Sequence, residues 1–427
     1  MYKIIINGGN QLFGSVDVSC MKNAALPIIF ATILTKSKCV IENLPAVSDV
    51  TQSLEILQEM GASVRFLNPT TVEINTATFT QGTAPFDLVS KMRGSTYLLG
   101  AELGRFGKAN VNYPGGCDFG VRPIDQHIKG FEALGAKVWT ENGYVNAIAE
   151  NGLMGNSVYF DVTSVGATVN VILASVLAEG MTIIENAARE PHIVDLANFF
   201  NTCGANITGA GTSVIKIRGV KELHGCTYTI IPDMIEAGTF MVAAAVTGGR
   251  VRVTNIIPKH METVSTKLIE MGVQIEEDDD VITVTSDGTL KGVNIKTLPY
   301  PGFPTDMHPQ FGAALCFAEG PGIITEGIWE SRFRYTEELR KMGANVVVEG
   351  KAATYIGKSN MSGARLTAVD LRGGAAVLIA ALAAKGTSEI TGIEVINRGY
   401  YNIVGKLRAL GADIREESQY FSGENIG

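Results

Sequence analysis

A thiol, a carboxylate, a lysine and several arginines stand where they could do chemistry together. Cys117 lies in Tyr113-Pro114-Gly115-Gly116-Cys117-Asp118-Phe119-Gly120-Val121-Arg122-Pro123. Glycines and prolines around one thiol describe an exposed loop, where cysteine is seldom placed for packing. Arg122, five residues on, can support a thiolate or bind an anion beside it. In Phe303-Pro304-Thr305-Asp306-Met307 a carboxylate follows the turn Pro299-Tyr300-Pro301. It fits a general base or a helix N-cap, and spacing leaves both open. Asp370-Leu371-Arg372 and Asn397-Arg398-Gly399-Tyr400 supply arginines suited to bidentate recognition of carboxylate or phosphate, or to a surface ion pair. The remaining five cysteines (20, 39, 203, 226, 316) fall in segments that read as core or strand ends.

A repeat must position these residues. The pattern hydrophobic-Gly-small recurs with its glycine at 61, 135, 204, 272, 343 and 411, so the spacings are 74, 69, 68, 71 and 68. That is too long for a solenoid unit and suits a small supersecondary module. Each module opens on an apolar segment such as KNAALPIIFATIL, GATVNVILASVLAEG, AGTFMVAAAVTGG or GGAAVLIAALAAKG, which predicts a buried helix. A β-branched strand follows (CVIENL, TIIENA, VRVTNI, IITEGI, SEITGI), then an amphipathic helix such as VSTKLIEM, the glycine as its C′ residue, and a second strand. The expected unit is α-β-α-β with extra strand material.

Counting back from each glycine exposes two slots. Where the first helix begins stand Lys22, Arg93, Ser164, Asp233, Asp306 and Arg372. In the turn before the second helix stand Arg122, Lys259, Glu330 and Arg398, with Asp49 and Glu190 within one residue of the same place. Helix N-termini carry unpaired N–H groups and partial positive charge, which suits phosphate and carboxylate. Ordinary caps and solvated turns would place polar residues there too.

Composition narrows the class. The chain has 427 residues, 46% hydrophobic and 18% charged, with net charge −8. It is globular, sized for two or three domains at about 150 residues each, and has no basic tract for nucleic acid. No long uninterrupted apolar run suggests a membrane span, and the cysteines show no C-x-x-C pair, so the reading is a reduced, cytoplasmic protein. There is no P-loop, no strand-GxGxxG-helix, no HExxH and no zinc spacing. The implied site holds no metal and no cofactor.

Taken together, certain motifs resemble one family. They are Lys22-Asn23-Ala24-Ala25-Leu26-Pro27, Pro114-Gly115-Gly116-Cys117, Arg122-Pro123-Ile124-Asp125, Ser164-Val165-Gly166-Ala167-Thr168, Glu185-Asn186-Ala187-Ala188-Arg189-Glu190-Pro191, Phe303-Pro304-Thr305-Asp306, Asp370-Leu371-Arg372 and Arg398-Gly399-Tyr400. From its first strand to about residue 415 the chain resembles the UDP-N-acetylglucosamine 1-carboxyvinyltransferases, enolpyruvyl transferases of peptidoglycan synthesis. RPIDQHIKGFEALGA and KELHGC look like the second form found in low-GC Gram-positive bacteria.

The resemblance implies an α/β fold of two inside-out α/β barrel domains, each of three repeats. One would span 22–231 and the other 1–21 plus 232–427, with the site in the cleft between them. It implies a cytoplasmic monomer whose partners are phosphoenolpyruvate and UDP-N-acetylglucosamine. Lys22, Arg122 and Arg398 would hold phosphoenolpyruvate and the departing phosphate, with Arg372 near the carboxylate. Cys117 would be the general acid, the carrier of a phospholactoyl adduct and the target of fosfomycin; Asp306 would take the proton of the sugar hydroxyl. Asn23, Arg93, Arg122, Pro123, Ile124, Asp125, Gln126, Ser164, Val165, Gly166, Asp306 and Ile328 would contact the UDP-sugar. Met21 departs from the family's small residue before Lys22, and its bulk is expected to bear on closure or affinity. Two rivals remain: a transferase acting on shikimate 3-phosphate, which lacks the PGGC loop, and a non-catalytic UDP-sugar-binding paralogue.

Overall fold

The computed structural model describes residues 2–80, 84, 86–89, 92–113 and 123–418. Cys117 and Arg122 lie outside the described residues. The chain divides into two compact units, one of Met1–Val18, Pro232–Leu298 and Gly302–Gly427, the other of Ser19–Ile231 and Pro299–Pro301.

Each repeat opens on a helix, and the reason is compositional. Lys22–Thr35, Tyr97–Phe106, Val165–Ser175, Met234–Thr247, His308–Leu315 and Leu371–Ala383 carry small and apolar residues with hardly a polar stripe. A helix that is apolar all round must be surrounded. Every residue from Met234 to Val246 is buried, and in Lys22–Thr35 only Asn23 is not. Within each unit the three opening helices pack on one another, and strands and amphipathic helices cover them. Helices inside and sheets outside make an inside-out α/β barrel.

The sheets repeat one pattern. In the Ser19–Ile231 unit, Lys38–Glu42 pairs antiparallel with Thr71–Asn75, which pairs antiparallel with Ser63–Asn68, while Thr227–Thr229 adds a parallel edge to the first strand. Gly249–Thr254, Val281–Ser286 and Gln274–Glu277 do the same in the other unit, with Leu12–Asp17 as the parallel edge. The chain start closes the last repeat: Tyr2–Gly8 sits between Gly386–Thr391 and Asp413–Ser418, antiparallel to both. Period-2 burial along these strands is the mark of sheets wet on one face.

The six repeat glycines all have positive φ, between +91° and +101°. Each reverses the chain after its amphipathic helix in a conformation that side chains resist.

Small residues also set helix spacing. A Cβ at Gly100 would lie 2.5 Å from the Asn170 carbonyl oxygen, and one at Gly104 would lie 2.7 Å from that of Leu173. The close approach lets Asn170 Oδ1 accept from the Gly100 N–H at 2.9 Å, satisfying a donor in the first turn of its helix. Cysteines scattered in sequence also converge. Cys203 and Cys226 bring their sulfurs to 3.4 Å, and parallel pairing of Thr227 with Val40 sets Cys39 beside them.

Glu102 is the one carboxylate of these central helices with little support. Among the described residues it accepts only a 3.3 Å bond from the Asn110 N–H, and its other oxygen is buried without a partner. Burial pushes its carboxyl up to about 8 from an ordinary 4.5.

Gly100→Ala should therefore destabilise the fold by about 1–3 kcal/mol, read as a lower urea midpoint. Glu102 makes stability fall with pH, because the folded chain holds its proton more tightly than the unfolded one. The loss should accrue from about pH 4.5 to about pH 8 and then level off. Glu102→Gln should remove that slope and leave the variant more stable than the parent at pH 8, but not at pH 4; urea unfolding at both values checks it.

Candidate functional site

The residues of the first slot lie at the starts of the buried helices, and how each start is capped decides which side chains are left over. In the Ser19–Ile231 unit, Lys22 opens its helix with no side-chain cap before it. Its ammonium meets Asp49 Oδ2 at 3.0 Å, both side chains nearly out of solvent. An ammonium has three donors, so one bond to Asp49 fixes its position while leaving capacity for an anion. Met21 is buried; its carbonyl accepts from the Ala24 and Ala25 N–H groups and its own N–H donates to the Ile231 carbonyl. Its bulk is packed in the core.

Arg93 opens a 3₁₀ turn, Arg93–Thr96, ahead of the next helix. Ser164 caps the third, accepting from the Ala167 N–H at 3.3 Å. Thr168 Oγ1 donates to the Ser164 carbonyl and accepts from the Ala188 N–H, tying this start to the Asn186-Ala187-Ala188 turn. Gln126 Oε1 accepts from the Asp161 N–H at 2.9 Å, and its Nε2 donates to Asp125 at 2.8 Å. Pro123 and Asp125 are exposed while Ile124 and Gln126 are buried. Gly166 has no room for a side chain: a Cβ would come within 2.7 Å of His127 Nε2. His127 is a residue the sequence reading passed over. Burial, then the charge of Arg93, hold its pKa down at about 4, so the ring is neutral at pH 7.

In the unit containing residues 232–298 and 302–418, Asp233 caps its helix through the Ile235 and Glu236 N–H groups, and burial raises its pKa. Asp370 caps the last central helix through the N–H groups of Arg372 and Gly373. Asp306 is not a cap. It sits in the turn Thr305–Met307, and its carboxylate is held by two arginines. Arg332 Nη2 donates to Oδ1 at 2.8 Å, and Arg372 Nε donates to Oδ2 at 3.2 Å. The cap reading of this residue is therefore not what the structure shows.

Arg372 is 3% exposed and lies 5.3 Å from the Tyr400 ring centroid, a cation–π contact. Its Nη1 is buried and has no acceptor among the described residues. A desolvated guanidinium donor without an acceptor is costly, and an anion is the natural partner. Arg398 lies in the segment between the 3₁₀ turn Ile393–Val395 and helix Ile403–Ala409. Ile328 begins a turn whose N–H groups, at Ile328 and Trp329, donate to Glu326 Oε1 at 2.7 and 3.1 Å.

Arg332 and Glu326 were missed in sequence; no motif marks them, and only their proximity to Asp306 and Ile328 gives them meaning. The candidates fall into two sets, Lys22, Asn23, Arg93, Pro123–Gln126 and Ser164–Gly166 in one unit, Asp306, Ile328, Arg372 and Arg398 in the other. Among the described residues no helix is long and apolar enough to cross a membrane, and no three His, Cys, Asp or Glu side chains converge as metal ligands.

The family model for EPSP synthase (3-phosphoshikimate 1-carboxyvinyltransferase) matches residues 6–407. The chain belongs to this family of enolpyruvyl transferases. It is 55% identical to UDP-N-acetylglucosamine 1-carboxyvinyltransferase 2 of Clostridium acetobutylicum, over 98% of this chain and all of that one. It is 50% identical to the enzyme of the same name from Bacillus subtilis, over 98% of this chain and 97% of that one. The solved enolpyruvyl transferase NikO from Streptomyces tendae aligns with a TM-score of 0.88 at 27% identity, covering 97% of this chain and 98% of that one. An EPSP synthase from Acinetobacter baumannii aligns at 0.76 and 20% identity, over 98% and 100%, which establishes the shared two-barrel fold.

The imidazole of this transferase's His127 should titrate near pH 4 by NMR. Arg93→Gln should move that midpoint upward, since the guanidinium is one of the two influences holding it down. A midpoint at the ordinary value near 6.5 in the parent would contradict the burial assigned to the ring.

Proposed function

We propose that this enolpyruvyl transferase moves the enolpyruvyl group of phosphoenolpyruvate to the 3-hydroxyl of UDP-N-acetylglucosamine and releases phosphate, opening peptidoglycan synthesis. The observation that carries it is the Asp306–Arg372 pair: an oriented carboxylate beside a buried guanidinium donor that lacks an acceptor among the described residues. The sugar-nucleotide acceptor follows from full-length relatives at 50–55% identity that bear that name, against 20% for the solved EPSP synthases.

The chemistry needs a proton placed on one carbon, a proton taken from one oxygen, and a phosphate stabilised as it leaves. Cys117 delivers the first to the methylene carbon of phosphoenolpyruvate. The carbon bearing the phosphate becomes cationic, and the sugar oxygen bonds to it. Asp306 takes the hydroxyl proton as that bond forms. An oxygen attacking a cationic carbon is already strongly acidic, so the orientation of Asp306 counts for more than its basicity. Loss of a methyl proton and of phosphate then restores the double bond. Lys22, Arg122 and Arg398 hold the phosphate, and Arg372 turns its open N–H to the carboxylate. Asn23, Arg93, Pro123–Gln126, Ser164–Gly166 and Ile328 bind the UDP-sugar.

The transformation replaces phosphate by the sugar oxygen at one carbon without redox change, and we assign it no redox cofactor. We read the chain as a cytoplasmic monomer.

Phosphate release from phosphoenolpyruvate should require UDP-N-acetylglucosamine. It should fall at least about a hundredfold in Cys117→Ala and Asp306→Asn. Arg372→Ala should raise the KM for phosphoenolpyruvate more than that for the sugar nucleotide. Sugar-nucleotide binding with no turnover in the parent chain would identify a non-catalytic paralogue instead.

A further inference from the structure

Behind Asp306 lies a buried hydrogen-bond network that the reaction itself does not require. Glu326, at 1% exposure, is its hub. Its Oε1 accepts from Thr297 Oγ1 at 2.8 Å and from the Ile328 and Trp329 N–H groups. Its Oε2 accepts from Thr305 Oγ1 at 2.8 Å and from His308 Nδ1 at 2.9 Å. The Thr305 hydroxyl, its proton committed to Glu326, accepts from Arg332 Nη1 at 2.7 Å, and Arg332 Nη2 reaches Asp306 Oδ1. Each group has a fixed role. Thr305 donates to Glu326 and so can only accept from Arg332. Arg332, with its planar fork, donates through Nη1 to Thr305 and through Nη2 to Asp306.

Burial works against a charge on Glu326, yet His308, Thr297 and the backbone donors hold its carboxyl below the usual range. His308 is fully buried and neutral, so it serves as a donor through Nδ1–H. Five donors converge on the two carboxylate oxygens, which over-determines their position and makes the network rigid.

We propose that Glu326 is a positioning residue that sets two parts of the site in one frame: the Ile328 turn through one carboxylate oxygen, and the Asp306 carboxylate through the other by way of Thr305 and Arg332. This rests on the assignment of Asp306 as base and of Ile328 as a sugar-nucleotide contact. One rigid carboxylate fixes the separation between where the sugar is held and where its proton goes. The two arms are separable, because the Thr305–Arg332 arm can be cut while the Ile328 arm stays whole.

The test cuts that arm. Thr305→Val keeps shape but removes the hydroxyl bridge, so kcat should fall about tenfold to a hundredfold while the KM for UDP-N-acetylglucosamine stays within about threefold. Thr305→Ser should restore kcat, which a purely structural role for the side chain's bulk would not. Glu326→Gln keeps an oxygen for the Ile328 turn but cannot accept from Thr305, so it should reproduce the Thr305→Val phenotype. The double variant should be no slower than either single one. Glu326→Ala should lose both kcat and sugar-nucleotide affinity. Wild-type kcat in Thr305→Val, with Asp306→Asn inactive, would overturn the positioning role and leave the base assignment standing. Full activity in Asp306→Asn would overturn the base assignment, and the positioning role with it. Should Thr305→Val not fold, Arg332→Lys carries the test: it cannot span Thr305 and Asp306 as a fork, so kcat should fall with KM held, and wild-type kcat there would likewise overturn the proposal.

Discussion

A helix buried along its whole length has only its ends for polar side chains. That constraint organises the molecule. The six central helices need small and apolar residues on every face, so each repeat's chemistry is confined to the first turn, where N–H groups are unpaired and polar side chains are useful. Lys22, Arg93, Ser164, Asp233, Asp306 and Arg372 all stand there. Capping then sorts them. Ser164 and Asp233 are consumed by their own helices, and Asp370 caps on behalf of Arg372. Lys22, Asp306 and Arg372 are left with charge that the helix does not use.

What the sequence discloses follows from that constraint being local. Apolar segments, β-branched strands and the repeat glycines report on backbone geometry within a few residues, and all six glycines have the positive φ their position demands. The slot residues were legible because a helix start is a local feature. Their partners were not. Lys22 and Asp49 share a hint of pattern, since both occupy slots. Arg332 and Glu326 occupy none: they belong to a turn and a strand end that look ordinary until sheet pairing sets them beside Thr305 and Ile328. The three thiols of Cys39, Cys203 and Cys226 are hidden the same way, because a parallel pairing between residues 40 and 227 has no signature at either end. Met21 packs its side chain in the core, while its carbonyl serves the helix start and its N–H pairs with the Ile231 carbonyl.

Electrostatics explains why so many charges tolerate burial around Asp306. Arg332 and Arg372 flank one carboxylate, and Glu326 and Asp233 lie just beyond, so no positive group lacks a negative neighbour. A buried charge without a partner would cost several kcal/mol, whereas an alternating set largely compensates itself. Among the described residues Arg372 Nη1 is a buried guanidinium donor that this compensation does not reach. A site already near neutrality does not gather anions by net charge; it selects them by offering an acceptorless donor in a place water reaches poorly.

The same clamp links the two ends of the proposed reaction. While ionised, Asp306 draws both guanidinium groups toward itself. Once it takes the proton of the sugar hydroxyl, its carboxyl is neutral and its hold on Arg332 and Arg372 weakens. Those positive charges are then freer to interact with the anionic groups of the substrate, at the step where phosphate must depart. Proton uptake and leaving-group stabilisation are in this way not separate tasks of separate residues. They are two states of one carboxylate–arginine cluster, and the rigidity supplied through Thr305 and Glu326 keeps the exchange between them from being lost to side-chain rearrangement.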